Sequence, residues 1–308
     1  MATGDRDAAV AVLTKATDLP TTADTLAGIA DSYLAEENYE KAIAALQVDA
    51  ANETLAAQTA AIQEDVYARG TAALEARDFE TAKTLLGQLS DYEDAAKLTA
   101  TAEKKDRLEK TAVPGTTVTF GTYEQDNNTA NGAELVEWMI LDKDGDYALV
   151  WSVKVLDAHI YYTNDTNICW RLSTMRKWMN SDMLNSLFTQ EQQQAIRLTV
   201  NKNRDENDRG IKDSEDTLFL LSARQMRKYF RMNPQKLKAE PTAYAQARGC
   251  WTNVAGYCYY WLRTSTFDDG RGQYVSSSGE TGWYSVTDRQ RGVRPAMWID
   301  LSDDSLGL

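Results

Sequence analysis

The chain has 308 residues, 43% of them hydrophobic, and a net charge of −13. That apolar share supports a folded core and excludes disorder; the length suits about two domains. The negative charge opposes nucleic-acid phosphates and anionic membrane surfaces, so neither nucleic acid nor membrane insertion is expected. No run approaches the ~18 consecutive apolar residues of a membrane span. The opening "MATGDRDAAVAVLTK" lacks a basic patch followed by an apolar run. No signal peptide is therefore read, and a cytoplasmic location is the default; an exported form would need a leader already removed. Cys169, Cys250 and Cys258 are an odd number without C-x-x-C spacing. Reduced thiols are the simplest expectation, with a Cys250–Cys258 bridge left open.

Residues 1–23 read as a flexible segment or a first helix. Over 24–112, Ala, Leu, Glu and Lys dominate and apolar residues fall at helical spacing. "YLAEENYEKAIAAL" at Tyr33–Leu46 aligns with "ALEARDFETAKTLL" at Ala73–Leu86, an offset of about 40 residues. Each copy holds a polar–aromatic pair, Asn38-Tyr39 or Asp78-Phe79, then Ala42 or Ala82. A small residue lets two helices approach, and the aromatic ring fills the gap. The pattern resembles tetratricopeptide-type helical hairpins, which stack neighbour on neighbour, although two copies are fewer than a stable solenoid usually needs. "LSDYEDAAKLTATAEKK" resembles the tail of such repeats in bacterial proteins. The region reads as a spacer or stalk, or as a peptide-docking groove.

"TAVPGTT" at Thr111–Thr117 breaks the helical pattern, because Pro114 and Gly115 end a helix and β-branched residues follow. The boundary is placed at 113, with a second domain over 113–308. "TVTFGTY" reads as a strand, and "VEWMILDKDGDYALVWS" as a hairpin turning at Asp142-Lys143-Asp144-Gly145-Asp146. No Glu follows at the distance a calcium loop needs, so those Asp residues read as turn chemistry. "LSTMRKWMNSDMLNSLF" is a helix capped by Ser173 or Thr174. Thr189 with Gln192, and Ser222 with Gln225, form capping boxes. "TLFLLSARQMRKYF" is a buried strand running into a helix, and 201–216 is a charged loop.

The closing stretch "YYWLRTSTFDDGRGQYVSSSGETGWYSVTDRQRGVRPAMWIDL" mixes aromatics with Ser, Gly, Asp and Arg. By alternation Val275, Val286, Val293 and Trp298 point inward, while Gln273, Ser276, Trp283 and Arg289 face outward or lie in loops. Upstream, "RGCWTNVAGYCYYWLR" places Trp251, Asn253, Tyr257 and Tyr259 in a turn-rich stretch. Tyr and Trp give large contact area at low entropy cost, and Ser, Asn and Gly give adaptable hydrogen bonding; Arg and Trp dominate interface hot spots. These residues, with Arg271, Tyr284 and Asp288, form the candidate ligand-binding set. A competing reading assigns Tyr260, Trp261, Tyr274, Tyr284 and Trp298 to the core. Arg263 and Arg294 read as structural, bonding loop carbonyls or a carboxylate.

Several segments occur in one order: "VTFGTYEQ", "VEWMILDKDGDYALVWS", "STMRKWMN", "LFLLSARQMRKYF", "YAQARG", "YYWLRTS" and "GVRPAMWIDL". Together, over about residues 116–302, they resemble an uncharacterised bacterial domain family common in gut Firmicutes. The W-L-R … G-V-R-P-A-x-W ending is similar to the close of C-type-lectin-like domains. Those include variable proteins of diversity-generating retroelements and relatives of the formylglycine-generating enzyme. The resemblance implies an α+β fold: an all-α repeat region, then a lectin-like domain of small twisted antiparallel sheets, two or three helices and long loops. In the retroelement relatives, the ligand face displays sequence variation.

A catalytic constellation is harder to assemble. Cys250 and Cys258 invite comparison with metal-binding cysteines of the formylglycine-generating relatives, but their local sequences differ. His159, the single histidine, lies near Cys169 with no visible orienting partner. Zinc needs about four soft ligands, no carboxylate pair is singled out for glycoside hydrolysis, and no phosphate-cradling glycine loop is present. Calcium–sugar signals of sugar-binding lectins are absent too. The expectation is a non-enzymatic binding protein for a protein or glycan ligand, without metal or cofactor. The alternatives are a metal-dependent oxidase using Cys250 and Cys258, and a structural module that self-associates through its repeats.

Overall fold

The echo of about 40 residues is carried by two helical hairpins. In the computed structural model, which describes residues 3–15, 17, 21–89, 91–204, 212–265 and 270–307, the chain divides into two units, Met1–Glu109 and Lys110–Leu308. The first contains α1 (Thr3–Leu13), α2 (Thr22–Leu34), α3 (Tyr39–Leu46), α4 (Glu53–Glu75), α5 (Phe79–Leu86) and all but the last two residues of α6 (Ala95–Thr111). Glu37 and Arg77 close the two hairpins at φ +56° and +62°. The next residue caps each second helix: Asn38 accepts from the Lys41 amide and Asp78 from the Thr81 amide, both at 3.2 Å. Tyr39 and Phe79 are buried, and Ala42 and Ala82 are fully so, as the pairing of small and aromatic residues predicts. One core gathers Leu26, Ile29, Tyr33, Leu46 and Leu55; a second gathers Tyr39, Ile43, Val66, Leu86 and Leu89, and Ile62 packs against both. A Cβ on Gly70 of α4 would lie 2.6 Å from Leu86 Cγ, so the α4–α5 contact requires a bare backbone there.

The second unit runs β1 (Thr117–Tyr123), β2 (Glu134–Asp144), β3 (Tyr147–Ser152), β4 (Asp157–Ala158), α7 (Thr174–Trp178), a π-helical turn (Met179–Met183), α8 (Leu184–Leu187), α9 (Gln190–Gln194), β5 (Ile196–Arg197), β6 (Thr199–Asn201), β7 (Ser214–Asp216), α10 (Ala223–Phe230), α11 (Pro234–Leu237), α12 (Ala243–Ala247), β8 (Tyr260–Ser265), β9 (Arg271–Val275), β10 (Thr281–Ser285), β11 (Gly292–Val293) and β12 (Ala296–Asp300). It is a mixed α+β unit. One curled sheet has the order β1-β2-β3-β12-β5, a second β10-β9-β8-β11-β4, and β6-β7 forms a ribbon. Pairing is antiparallel except between β8 and β11. Ser173 caps α7, and both expected capping boxes form, Thr189 with Gln192 and Ser222 with Gln225.

Four tryptophans fill the interior, and each indole N–H finds an acceptor. Trp138 donates to the Phe120 carbonyl, Trp151 to Arg294, Trp170 to the Asp216 carboxylate and Trp261 to His159, at 2.8–3.2 Å. Buried indoles need such partners. Arg294 lies with its guanidinium 3.3 Å from the Trp151 ring centre and donates to the Ser152 and Val153 carbonyls. Arg263 donates to the Leu220 carbonyl. Both arginines therefore bond carbonyls.

Two expectations are corrected. Residues 217–221 form no regular strand. Leu218–Leu221 are buried, but Phe219 alone bridges to Ala296, while the Leu220 and Leu221 carbonyls are taken by Arg263. Trp298 is half-buried rather than inward. The buried phase of β12 is Met297 and Ile299, one residue out of step with the alternation assumed, which turns Trp298 to the opposite face.

Candidate functional site

The aromatic residues of the closing segment are sorted by the register of β8, β9 and β10. Trp283 pairs with Gln273, and Gly282 with Tyr274, while Trp261 pairs with Tyr274 across β8–β9. Paired residues share a face, so Trp261, Tyr274 and Tyr284 lie on one face, and Trp283, Gln273 and Val275 on the other. Glycine makes the first face flat enough for rings: a Cβ on Gly272 would meet the Trp261 ring at 3.0 Å, and one on Gly282 the Tyr274 ring at 2.7–2.9 Å.

An aromatic chain crosses this face. Trp251 stacks on Tyr259 with ring centres 4.8 Å apart and planes 15° from parallel. Tyr259 meets Tyr274 edge-on at 5.6 Å. The Arg291 guanidinium sits 3.9 Å from the Tyr284 ring centre, 4.3 Å from Tyr274 and 5.2 Å from Trp261. Asp288 holds Arg291 through an ion pair and accepts the Gln290 amide. Arg291 is buried, yet Trp251 remains 40% and Tyr284 49% exposed. The cluster is thus a rigid platform pinned from below by a cation.

Other candidates fall elsewhere. Asn253 accepts the Ala255 and Tyr257 amides within its own turn. Tyr257 lies under Lys238, whose Nζ is 5.4 Å from the ring centre. Ser276 closes the β9–β10 turn with Ser278 and Glu280. Arg271 and Arg289 are exposed, and Arg271 is paired in register with Ser285. Gln273 is buried rather than outward, because β9 is an internal strand and Gln273 shares its face with the fully buried Val275. Arg291 was missed by sequence reasoning, since Arg289, Arg291 and Arg294 look alike; alternation back from Val293 was the available signal.

The family described as a domain of unknown function (DUF6273) matches residues 137–301. The chain belongs to this family. No curated protein and no solved structure matches the chain. The DUF6273 segment runs from within β2 to the end of β12, so it includes the whole aromatic platform and both candidate thiols.

Within that segment Cys250 and Cys258 are buried and unbridged. The neighbouring Cys250 thiol, and then burial, push the Cys258 thiol up, and its Sγ donates to the Ala239 carbonyl. This environment disfavours the thiolate that metal ligation or nucleophilic attack requires. His159 stacks on Trp178 at 4.4 Å, with Nδ1 2.7 Å from the Ile160 carbonyl, and burial lowers its pKa. Just before the segment, carboxylate oxygens of Glu124, Asp126 and Glu134 lie within 4.8 Å of one another. These carboxylates accept amides of their own loop, including Gln125 and Asn128. Among the described residues no helix is long and apolar enough to cross a membrane.

Proposed function

We propose that the DUF6273 domain is a non-catalytic binding module that captures a protein or glycan ligand on the Trp251–Tyr259–Tyr284 platform. The observation that carries this reading is the half-exposed Trp251 stacked on Tyr259, and the exposed Tyr284, with the buried Arg291 beneath both Tyr259 and Tyr284. A pre-ordered aromatic surface binds without losing rotamer freedom, which is where flexible sites lose affinity. Kinship with C-type-lectin-like domains, and with variable proteins of diversity-generating retroelements, belongs to the same reading. It is supported by short curled sheets that carry Gly- and Ser-rich connections around the platform. Oxidase chemistry fits less well, because the Cys258 thiol is buried and held protonated.

The test is capture of ligands from a glycan array and from a surface-displayed peptide library by the full chain. The double variant Trp251→Ala, Tyr284→Ala is expected to stay folded, with its unfolding midpoint lowered by no more than the Tyr284–Arg291 contact contributes, because both side chains are substantially exposed. It should lose capture by about 30-fold or more, the scale of an aromatic hot spot. Undiminished capture by a folded double variant would reject the platform, and no capture by the parent chain from either source would reject the binding reading.

A further inference from the structure

A second concave site is built from residues outside the aromatic platform. A cavity of about 380 Å³ is lined by Lys202, Arg204, Arg224 and Arg263 and, among the described residues, by no acidic side chain. Four cations converge here on a chain whose net charge is −13. Small-molecule sites typically begin near ~300 Å³, so the cavity accommodates a compact ligand.

The basic part of the lining favours an anion. Ser222, Arg224 and Gln225 come from the start of α10, where the helix dipole presents positive potential. α10 carries no acidic residue in its first turn, and the exposed Arg224 has no ion-pair partner among the described residues. Arg263 supplies an independent observation. It is 5% exposed and spends Nη1 on the Leu220 carbonyl, and its Nε has no hydrogen-bond partner among the described residues. Burial lowers its pKa to about 10. The acid whose charge reaches it, Asp216, is already bonded to Trp170, Arg176, Asn201 and Ser214. A buried guanidinium without a direct counter-ion is costly, and an arriving anion offsets that cost. Lys202 pairs with Asp213 at 2.5 Å but is 74% exposed, which places its charge at the rim. Trp298, turned away from the core, adds an aromatic wall.

We infer that this cavity binds a small organic oxyanion, a carboxylate or phosphate group held by Arg263 and Arg224, with the rest of the ligand lying against Trp298. The inference does not depend on the aromatic platform. Isothermal titration of the full chain with inorganic phosphate, glucuronate and glucose tests it. Saturable one-to-one binding of phosphate or glucuronate is expected, with no binding of glucose; the tighter anion identifies the headgroup. Arg224→Gln should weaken binding by about tenfold, as expected for one charge-assisted donor, and added salt should weaken it further. Arg263 is buried, so its replacement risks the fold; Arg224 is exposed, so its variant stays folded. The Trp251→Ala, Tyr284→Ala variant should bind the anion as the parent does. Absence of binding by both anions, equal binding by Arg224→Gln, or glucose binding as tightly as glucuronate would overturn the assignment.

Discussion

Replacing Arg291 with Ala removes the cation beneath the aromatic platform. The two nearest rings, Tyr284 and Tyr274, lie 3.9 and 4.3 Å from the guanidinium. Desolvated contacts of this kind contribute up to about 2 kcal/mol each. The substitution also strands Asp288, whose side chain is 12% exposed; an unsatisfied buried acceptor costs about 1–3 kcal/mol. Relief from burying the guanidinium returns part of this, leaving a net loss of about 2–4 kcal/mol. All 8 tryptophans fall in the second unit, so tryptophan fluorescence in urea follows that unit alone. With a slope of ~2 kcal/mol/M, the midpoint should drop by about 1–2 M. Arg289→Ala, at an exposed position two residues away, should change stability by no more than about 0.5 kcal/mol. Arg291→Lys keeps the charge but loses the flat stacking face, and should fall between the two. An Arg291→Ala midpoint indistinguishable from that of Arg289→Ala would refute the reasoning.

Three further outcomes follow from packing and burial. Gly70→Ala gains about 1 kcal/mol of helix propensity but places Cβ 2.6 Å from Leu86 Cγ; overpacking of about 1–3 kcal/mol should win, lowering the helical unit's melting temperature by circular dichroism. A colorimetric thiol reagent at pH 8 should label the half-buried Cys169 in the folded protein, with Cys250 and Cys258 reacting only after denaturation. Burial lowers the pKa of His159, so the unfolded chain takes up its proton first as the pH falls. Stability should therefore decline below about pH 6.5, by up to about 1.4 kcal/mol per pH unit. His159→Gln should remove that slope between pH 7.5 and 5.5 in urea titrations, and an unchanged slope would exclude His159 as its source.

Local signals carried much of the architecture. The echo at Asn38-Tyr39 and Asp78-Phe79 marks both hairpins because a cap acts on an amide three residues away. The same reach explains why the boxes at Thr189 and Ser222 were legible. A switch from helical to alternating period after Pro114 marks the change of structure. Val275, Val286 and Val293 could be placed inside because alternation holds along a single strand. Ser276 and Asn253 were read as adaptable ligand contacts, yet each closes its own turn. Residue type suggested their hydrogen-bonding capacity but not where it is spent.

The sequence by itself determined the helical repeats, the change to strands and the caps that start helices, because these depend on neighbours within a few residues. Only the tertiary structure decided that Arg291, not Arg289, pins the aromatic platform, that Gln273 is buried, and that Trp298 turns outward. It alone brought Lys202, Arg224 and Arg263 to one cavity. Desolvation and charge are set by whatever packs alongside, and here those neighbours come from segments tens of residues apart, where no local period reports them.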